Sequence, residues 1–221
     1  MLRNLFLCAL LSTTPVWADD RPHVDFSSEV NREVSNDLLV AQLSADTHDR
    51  SATQVASQLT GILNICLRKA EAFPSVNVSS GNQSTFPVYG KNNQLSGWRG
   101  HGELRLETHD FKAAGQLIAQ LQESIQLSGV SFTLAPETRE RVKNEMIAEA
   151  MVEFRKRAKV VAEAMNAREY KVQHLAIDDG GNGGAFPMLA RSAADLSMPT
   201  PDFVAGTTQL SIRISGTIEI Y

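Results

Sequence analysis

The chain is poor in the residues and patterns that usually announce a reaction, and each shortage removes a class of function. It has two cysteines in 221 residues. Cys8 falls in an N-terminal segment expected to be cleaved, and a lipoprotein anchor there would need a longer apolar stretch before it. Cys66 is then alone, so no internal disulfide forms. It lies on the apolar side of an expected helix, where an inert buried thiol is the expectation. Metal-ligand spacing is missing too: no HExxH, HxH or cysteine pair accompanies His23, His48, His101, His109 and His174. No serine sits in a GxSxG turn, which removes the local sign of a nucleophile elbow. Basic runs are absent. The chain carries 21 Lys and Arg against 25 Asp and Glu, a net charge of −4, which makes nucleic acid and anionic lipid poor partners.

What is present begins with a leader. Arg3 supplies a positive start, residues 5–11 (LFLCALL) form a short apolar run, and Val16-Trp17-Ala18 ends in a small residue before Asp19-Asp20. This is the pattern of a secretory signal peptide. The run is shorter than the roughly 20 residues that span a bilayer. The expectation is export to the periplasm with cleavage after Ala18, and a mature chain without a transmembrane segment. Export also removes ATP, thiol buffers and most cytosolic cofactors, so no cofactor is expected. Residues 1–18 are read as signal peptide, 19–36 as a polar N-terminal arm without clear period, and 37–221 as one domain. If that domain divides, Pro136 marks the seam.

Periodicity orders the rest. Leu39, Ala41, Leu43 and Ala45 alternate with polar neighbours, as in a half-buried strand. Asp49-Arg50-Ser51 then opens a helix whose Val55, Leu59, Ile62, Leu63, Cys66, Leu67 and Ala70 fall at helical spacing, with Pro74 as its stop. A strand from Val76 through Phe86 to Tyr89, a turn at residues 91–94 and a strand carrying Trp98, Gly100, Gly102, Leu104 and Leu106 follow. The two glycines leave one face of that strand bare, so another backbone or a large side chain can lie close. A helix opens at Asp110 and ends at Gly129, and Val130, Phe132 and Leu134 alternate as the next strand. Pro136 and Glu137 open the longest element, whose apolar stripe runs from Val142 through Phe154 to Met165. At about 1.5 Å per residue it is roughly 45 Å long, more than a small sheet needs, so part of it is a candidate subunit contact. Strands over residues 172–177 and 210–220 close the chain. The expected class is α+β with antiparallel sheet, two medium helices and one long one, in the order β-α-β-β-α-β-α-β-β.

Candidate chemistry is sparse. Gly180-Gly181-Asn182-Gly183-Gly184 has no following helix start or lysine, and Asp178-Asp179 before it would repel a phosphate. The same aspartates lack the alternating ligands of a calcium loop. Glu145, Glu149 and Glu153 line one helix face, and a solvated face with a Glu153–Arg157 pair accounts for them. Trp98-Arg99 offers an aromatic-cation surface, with core packing of Trp98 the preferred reading. Asn77-Val-Ser79 and Asn82-Gln-Ser84 match glycosylation acceptors, which matter only in a eukaryotic secretory pathway. The loop over 178–206 is long enough to be an assembly or binding element.

Tyr89, then Gly97-Trp98-Arg99-Gly100 running into Leu104-Arg105-Leu106, resembles the central strand pair of SIMPL-domain proteins. The alanine-rich helix with Ala150, Arg157, Ala158 and Ala162, and the segment Pro199, Pro201, Gly206 before the last strand, fit the same family. Many members have a glycine-rich first strand followed by Pro-Asp. Here Phe26 to Asp37 lacks glycine, and Asn36 precedes Asp37. The resemblance implies an exported, often periplasmic α+β protein that in some members forms ring-like or channel-like oligomers. It also implies a link to oxidative-stress defence and host immune recognition, with no catalytic residues to carry over. The expectation is therefore a non-enzymatic, periplasmic, self-associating protein of envelope or stress physiology, with no catalytic, cofactor-binding or metal-binding residue assigned. The alternative is a ligand- or divalent-metal-binding module using the 178–206 loop or Trp98-Arg99.

Overall fold

Ten regular elements follow from the alternation and stripes above, in a computed structural model that describes residues 21–180 and 203–221. The leader with its cleavage point and residues 181–202, most of the glycine-rich loop included, lie outside the described residues. In chain order the elements are β1 (His23–Ser35), β2 (Leu38–Asp49), α1 (Ala52–Ala70), β3 (Asn77–Tyr89), β4 (Leu95–Thr108), α2 (Phe111–Leu121), β5 (Gln126–Thr133), α3 (Pro136–Ala164), β6 (Tyr170–Asp178) and β7 (Thr207–Ile220). They form an α+β structure with two antiparallel sheets, in the orders β1-β7-β6 and β3-β4-β2-β5. From β2 onward the element order is the expected one.

Each sheet buries one face. Leu39, Ala41 and Leu43 of β2 and Leu104 and Leu106 of β4 meet Leu59, Leu63 and Cys66 of α1 and Leu117, Ile118 and Leu121 of α2. Burying each such leucine or isoleucine contributes about 1.5–3 kcal/mol. The bare face expected of β4 is occupied by α1. A Cβ on Gly100 would stand 2.5 Å from Val55 Cγ1 and 2.8 Å from Thr47 Oγ1, and one on Gly102 would stand 3.0 Å from Leu59 Cδ1. The second core sets Val142, Met146, Ala150, Phe154 and Ala158 of α3 against Leu210, Ile212, Ile214 and Ile218 of β7. Met165, placed at the end of the expected stripe, is exposed instead, and Ala162 takes the buried position.

The segment expected as an arm is in fact a strand. β1 pairs with β7 along its whole length, from His23 opposite Glu219 to Ser35 opposite Thr207. Val24, Phe26, Val30 and Val34 pack on the second core, and Phe26 stacks on Phe154 at 4.5 Å. Ser28 and Arg32 occupy the inward positions between them and hide the alternation. The expected end of α2 also moves. The helix stops at Leu121, Ile125 is buried, and Gly129 lies within β5 opposite Gln42.

The step from β1 to β2 ties the sheets together at two residues. Asn36 is buried: its N–H donates to Gly206 O (3.1 Å), its Nδ2 to Ala205 O (2.8 Å), and its Oδ1 accepts from Thr208 Oγ1 (2.6 Å). A proline there would have no N–H to give. Asp37 Oδ1 accepts from Ala135 N–H (2.7 Å) and Oδ2 from Thr138 Oγ1 (2.5 Å), so it supplies the start of α3 with the cap that Ala135 lacks. Burial pushes its pKa up, yet the hydrogen bonds from Thr138 and Ala135 outweigh burial and hold the carboxyl below its ordinary value. His109 Nδ1 donates to Asp37 O (2.5 Å).

Candidate functional site

Alternation puts the charged residues of β2 and β4 on the face turned away from α1. There Asp46 Oδ1 meets Arg99 Nη2 (3.1 Å) and His101 Nδ1 (3.3 Å), while His101 Nε2 reaches Glu103 Oε1 (3.2 Å). Hydrogen bonds to Glu103 and then Asp46 raise the His101 pKa. Burial works to raise the Asp46 carboxyl, but the bonds from His101 and Arg99 prevail and lower it. With a carboxylate on each ring nitrogen, His101 has no nitrogen left for a substrate. The cluster is therefore an ion network and does not resemble a poised base. Sequence spacing gave His101 and His109 no metal-ligand pattern and no partner. The pairing of Asp46 opposite His101 across β2 and β4 is what assembles the network.

The exposed face of the smaller sheet is organised in the same way. Arg213 Nη2 lies 2.6 Å from Glu29 Oε2, and Ser211 Oγ donates to Glu29 Oε1 (3.1 Å). The bond from Arg213 is the main reason that Glu29 titrates low. Glu219 is buried and is joined by Arg21 (2.9 Å) and Gln173 Nε2.

The acidic face of α3 is likewise paired. Arg32 bridges Glu145 (2.9 Å) and Glu149 (2.8 Å). Glu153 takes Lys156 (2.6 Å), whereas Arg157, its expected partner, donates to Ser27 O (2.6 Å). Arg32 shares the inward face of β1 with Val24, Phe26, Val30 and Val34, and that face turns toward α3. Asp179 binds Lys143 (2.8 Å), and Asp178 Oδ1 accepts from Gly180 N–H (3.0 Å). Cys66 is fully buried, and burial pushes its thiol up. Trp98 is half-buried at the rim of the sheet and stands outside both cores.

Two clefts lie on the surface of the described residues. One of about 620 Å³ lies among Ser44, Asp46, Ile62, Gln122, Ser124 and Gln126, and Asp46 is its one ionisable side chain. The other, about 400 Å³, holds Asp25, Ser27, His174, Ser215 and Thr217. Asp25 there accepts from Thr217 Oγ1 (2.5 Å), but no side-chain hydrogen bond links His174 to a serine or to Asp25. The nucleophile–base–orienter chain that acyl transfer needs is not assembled among these residues. Among the described residues no three His, Cys, Asp or Glu side chains are grouped to hold a metal ion, and no helix is long and apolar enough to cross a membrane.

The surface that stands out is a hairpin. The pairing of β2 with β4 ends at Asp49 opposite Trp98, whereas β3 and β4 continue to Val88 opposite Gly97 and Tyr89 opposite Leu95. The projecting tip turns through Asn92 and Asn93, both with positive φ, a conformation asparagine tolerates. It exposes Phe86 (42 %), Val88 (37 %), Tyr89 (57 %) and Leu95 (54 %). Single exposed apolar residues are ordinary, but several on one projection mark an interaction surface.

The SIMPL family model matches residues 24–218, from the start of β1 into the end of β7. The chain belongs to the SIMPL family. That family is described as "Protein of unknown function (DUF541)". No curated protein matches the chain. Among solved structures, a hydantoinase/carbamoylase family amidase from Burkholderia ambifaria is similar at 13% identity and a TM-score of 0.27, over 45% of this chain and 28% of that one. AtUAH in complex with glyoxylate is similar at 16% identity and a TM-score of 0.26, over 56% of this chain and 33% of that one. This SIMPL chain thus spans a third or less of those structures, and at such scores neither their fold nor their chemistry transfers to it.

Proposed function

We propose that this SIMPL protein is a non-enzymatic, periplasmic protein that self-associates and works through its surfaces in envelope or oxidative-stress physiology. One observation carries the reading. On the exposed sheet faces Asp46 pairs with Arg99 and Glu29 with Arg213, while Phe86, Val88, Tyr89 and Leu95 stand in solvent at one hairpin tip. The leader supports the location, and the family resemblance supports the physiology. Size-exclusion chromatography with light scattering tests self-association: the mature chain should run as an oligomer at micromolar concentration, and a strict monomer refutes it. Cell fractionation tests location: a periplasmic chain beginning at Asp19 is expected, and a cytosolic chain retaining Arg3 overturns it. Peroxide survival of a deletion strain tests the stress role, with unchanged survival as the contrary result.

A further inference from the structure

The larger cleft lies where β5 leaves β2. β2 pairs with β4 from Leu39 opposite Thr108 to Asp49 opposite Trp98, but its pairing with β5 stops at Ser44 opposite Gln126. Along residues 45–49, alternate positions therefore direct backbone N–H and C=O groups to the open side of the strand. The cleft of about 620 Å³ lies against the start of that edge, at Ala45 and Asp46. Its size falls in the range of small-molecule sites, roughly 300–1,000 Å³.

Three kinds of group line it. Ile62, Ile125 and Leu127 form an apolar wall. Gln122, Ser124 and Gln126 contribute two carboxamides and a hydroxyl, and among the described residues these three side chains make no hydrogen bond. The open edge of β2 adds peptide donors and acceptors. Charge is already settled: Asp46 is held by Arg99 (3.1 Å) and His101 (3.3 Å). Glu123, between two of the lining residues in sequence, is tied to Lys69 (2.7 Å). No aromatic ring is part of the lining.

We infer that this cleft binds a neutral acetamido sugar, a saccharide ring that carries an N-acetyl group. Carboxamides and hydroxyls both donate and accept, which is what ring hydroxyls need. An acetamido N–H and C=O match the N–H and C=O of an open strand edge, as an added peptide strand does. The acetyl methyl has Ile62 and Leu127 to rest on. An ion finds no free counter-charge here, and a wholly apolar ligand would cover Gln122, Ser124 and Gln126 without pairing them. With no ring to stack on, the affinity is in the millimolar range. The inference does not depend on self-association, and it adds a ligand to a protein that works through its surface.

Ligand-detected saturation-transfer NMR on the full mature chain tests it. The probe is N-acetylglucosamine, and glucose, which lacks the acetamido group, is the comparison. N-acetylglucosamine should give a saturable signal strongest at the acetyl methyl, and glucose should bind about tenfold more weakly or worse. Gln122 and Gln126 are exposed, so Gln122→Ala combined with Gln126→Ala should still fold, which circular dichroism checks. That double variant should weaken binding about tenfold or more. Ser84→Ala, on β3 opposite His101 and outside the cleft, should leave binding unchanged. No saturable signal, equal binding of glucose, equal binding by the folded double variant, or an equal loss in Ser84→Ala overturns the inference. A monomeric wild-type chain that binds the sugar as described removes self-association and leaves this site standing.

Discussion

Removing the Asp37 carboxylate measures how much of the fold depends on one side chain that reaches between sheets. Asp37→Ala deletes the acceptor for Ala135 N–H, equivalent to a helix N-cap worth about 1 kcal/mol. It also deletes a hydrogen bond from Thr138 to a charged group, worth about 1.5–3 kcal/mol. The sum is about 3 kcal/mol. For a chain of this size that lowers the melting temperature by roughly 6–12 °C, at about 2–4 °C per kcal/mol. Asp37→Asn keeps the shape and one acceptor and should cost about 1 kcal/mol. Its pH dependence has a definite sign. The folded-state pKa lies below the ordinary value of 3.8, so the stabilisation is present above 3.8 and is lost as pH falls through the folded value. Thermal unfolding followed by circular dichroism, at neutral pH and then into acid, reads both effects. The gap between wild type and Asp37→Asn should narrow below 3.8. A loss under about 0.5 kcal/mol for Asp37→Ala, or a gap that persists unchanged in acid, refutes the capping role.

Two further outcomes follow from the packing and from the ion network. Gly100→Ala drives a Cβ into Val55 and should cost about 1–3 kcal/mol, and Val55→Ala alone should cost about 2 kcal/mol. Combined, the new methyl occupies the vacated space, so chemical denaturation of all four chains should show a favourable coupling of about 1 kcal/mol, and simple additivity would contradict the close approach. His101→Gln removes a group whose pKa is raised in the folded state, so its contribution is full below 6.5 and disappears as pH rises through the folded value. For so open a pair it should amount to about 0.2–1 kcal/mol. Equal stability differences at acidic and alkaline pH would show that the two carboxylates do not hold the imidazolium.

Local pattern carried much of this structure. The stripe from Val55 to Ala70, the alternation of β2 and β4, Pro136 at the start of α3 and the room left by Gly100 and Gly102 each depend on neighbours within a few residues, which a sequence displays directly. β1 was less legible because Ser28 and Arg32 sit at inward positions. Both have uses that appear only when distant elements arrive: Arg32 meets Glu145 and Glu149 of α3. The Asp46–His101–Glu103 network was invisible for the same reason, since β2 and β4 must pair in one register before those side chains meet.

From Leu38 onward the sequence by itself determined the kinds of element, their order and which face of each is apolar, because residue spacing sets those through backbone period alone. Only the tertiary structure decided that the first strand closes on the last, that Asp37 caps a helix beginning near residue 136, and that β3 is left as an uncharged outer edge. Period says which way a side chain points along its own element. It does not say which strand lies beside it, and charge pairing, capping and free edges all depend on that neighbour.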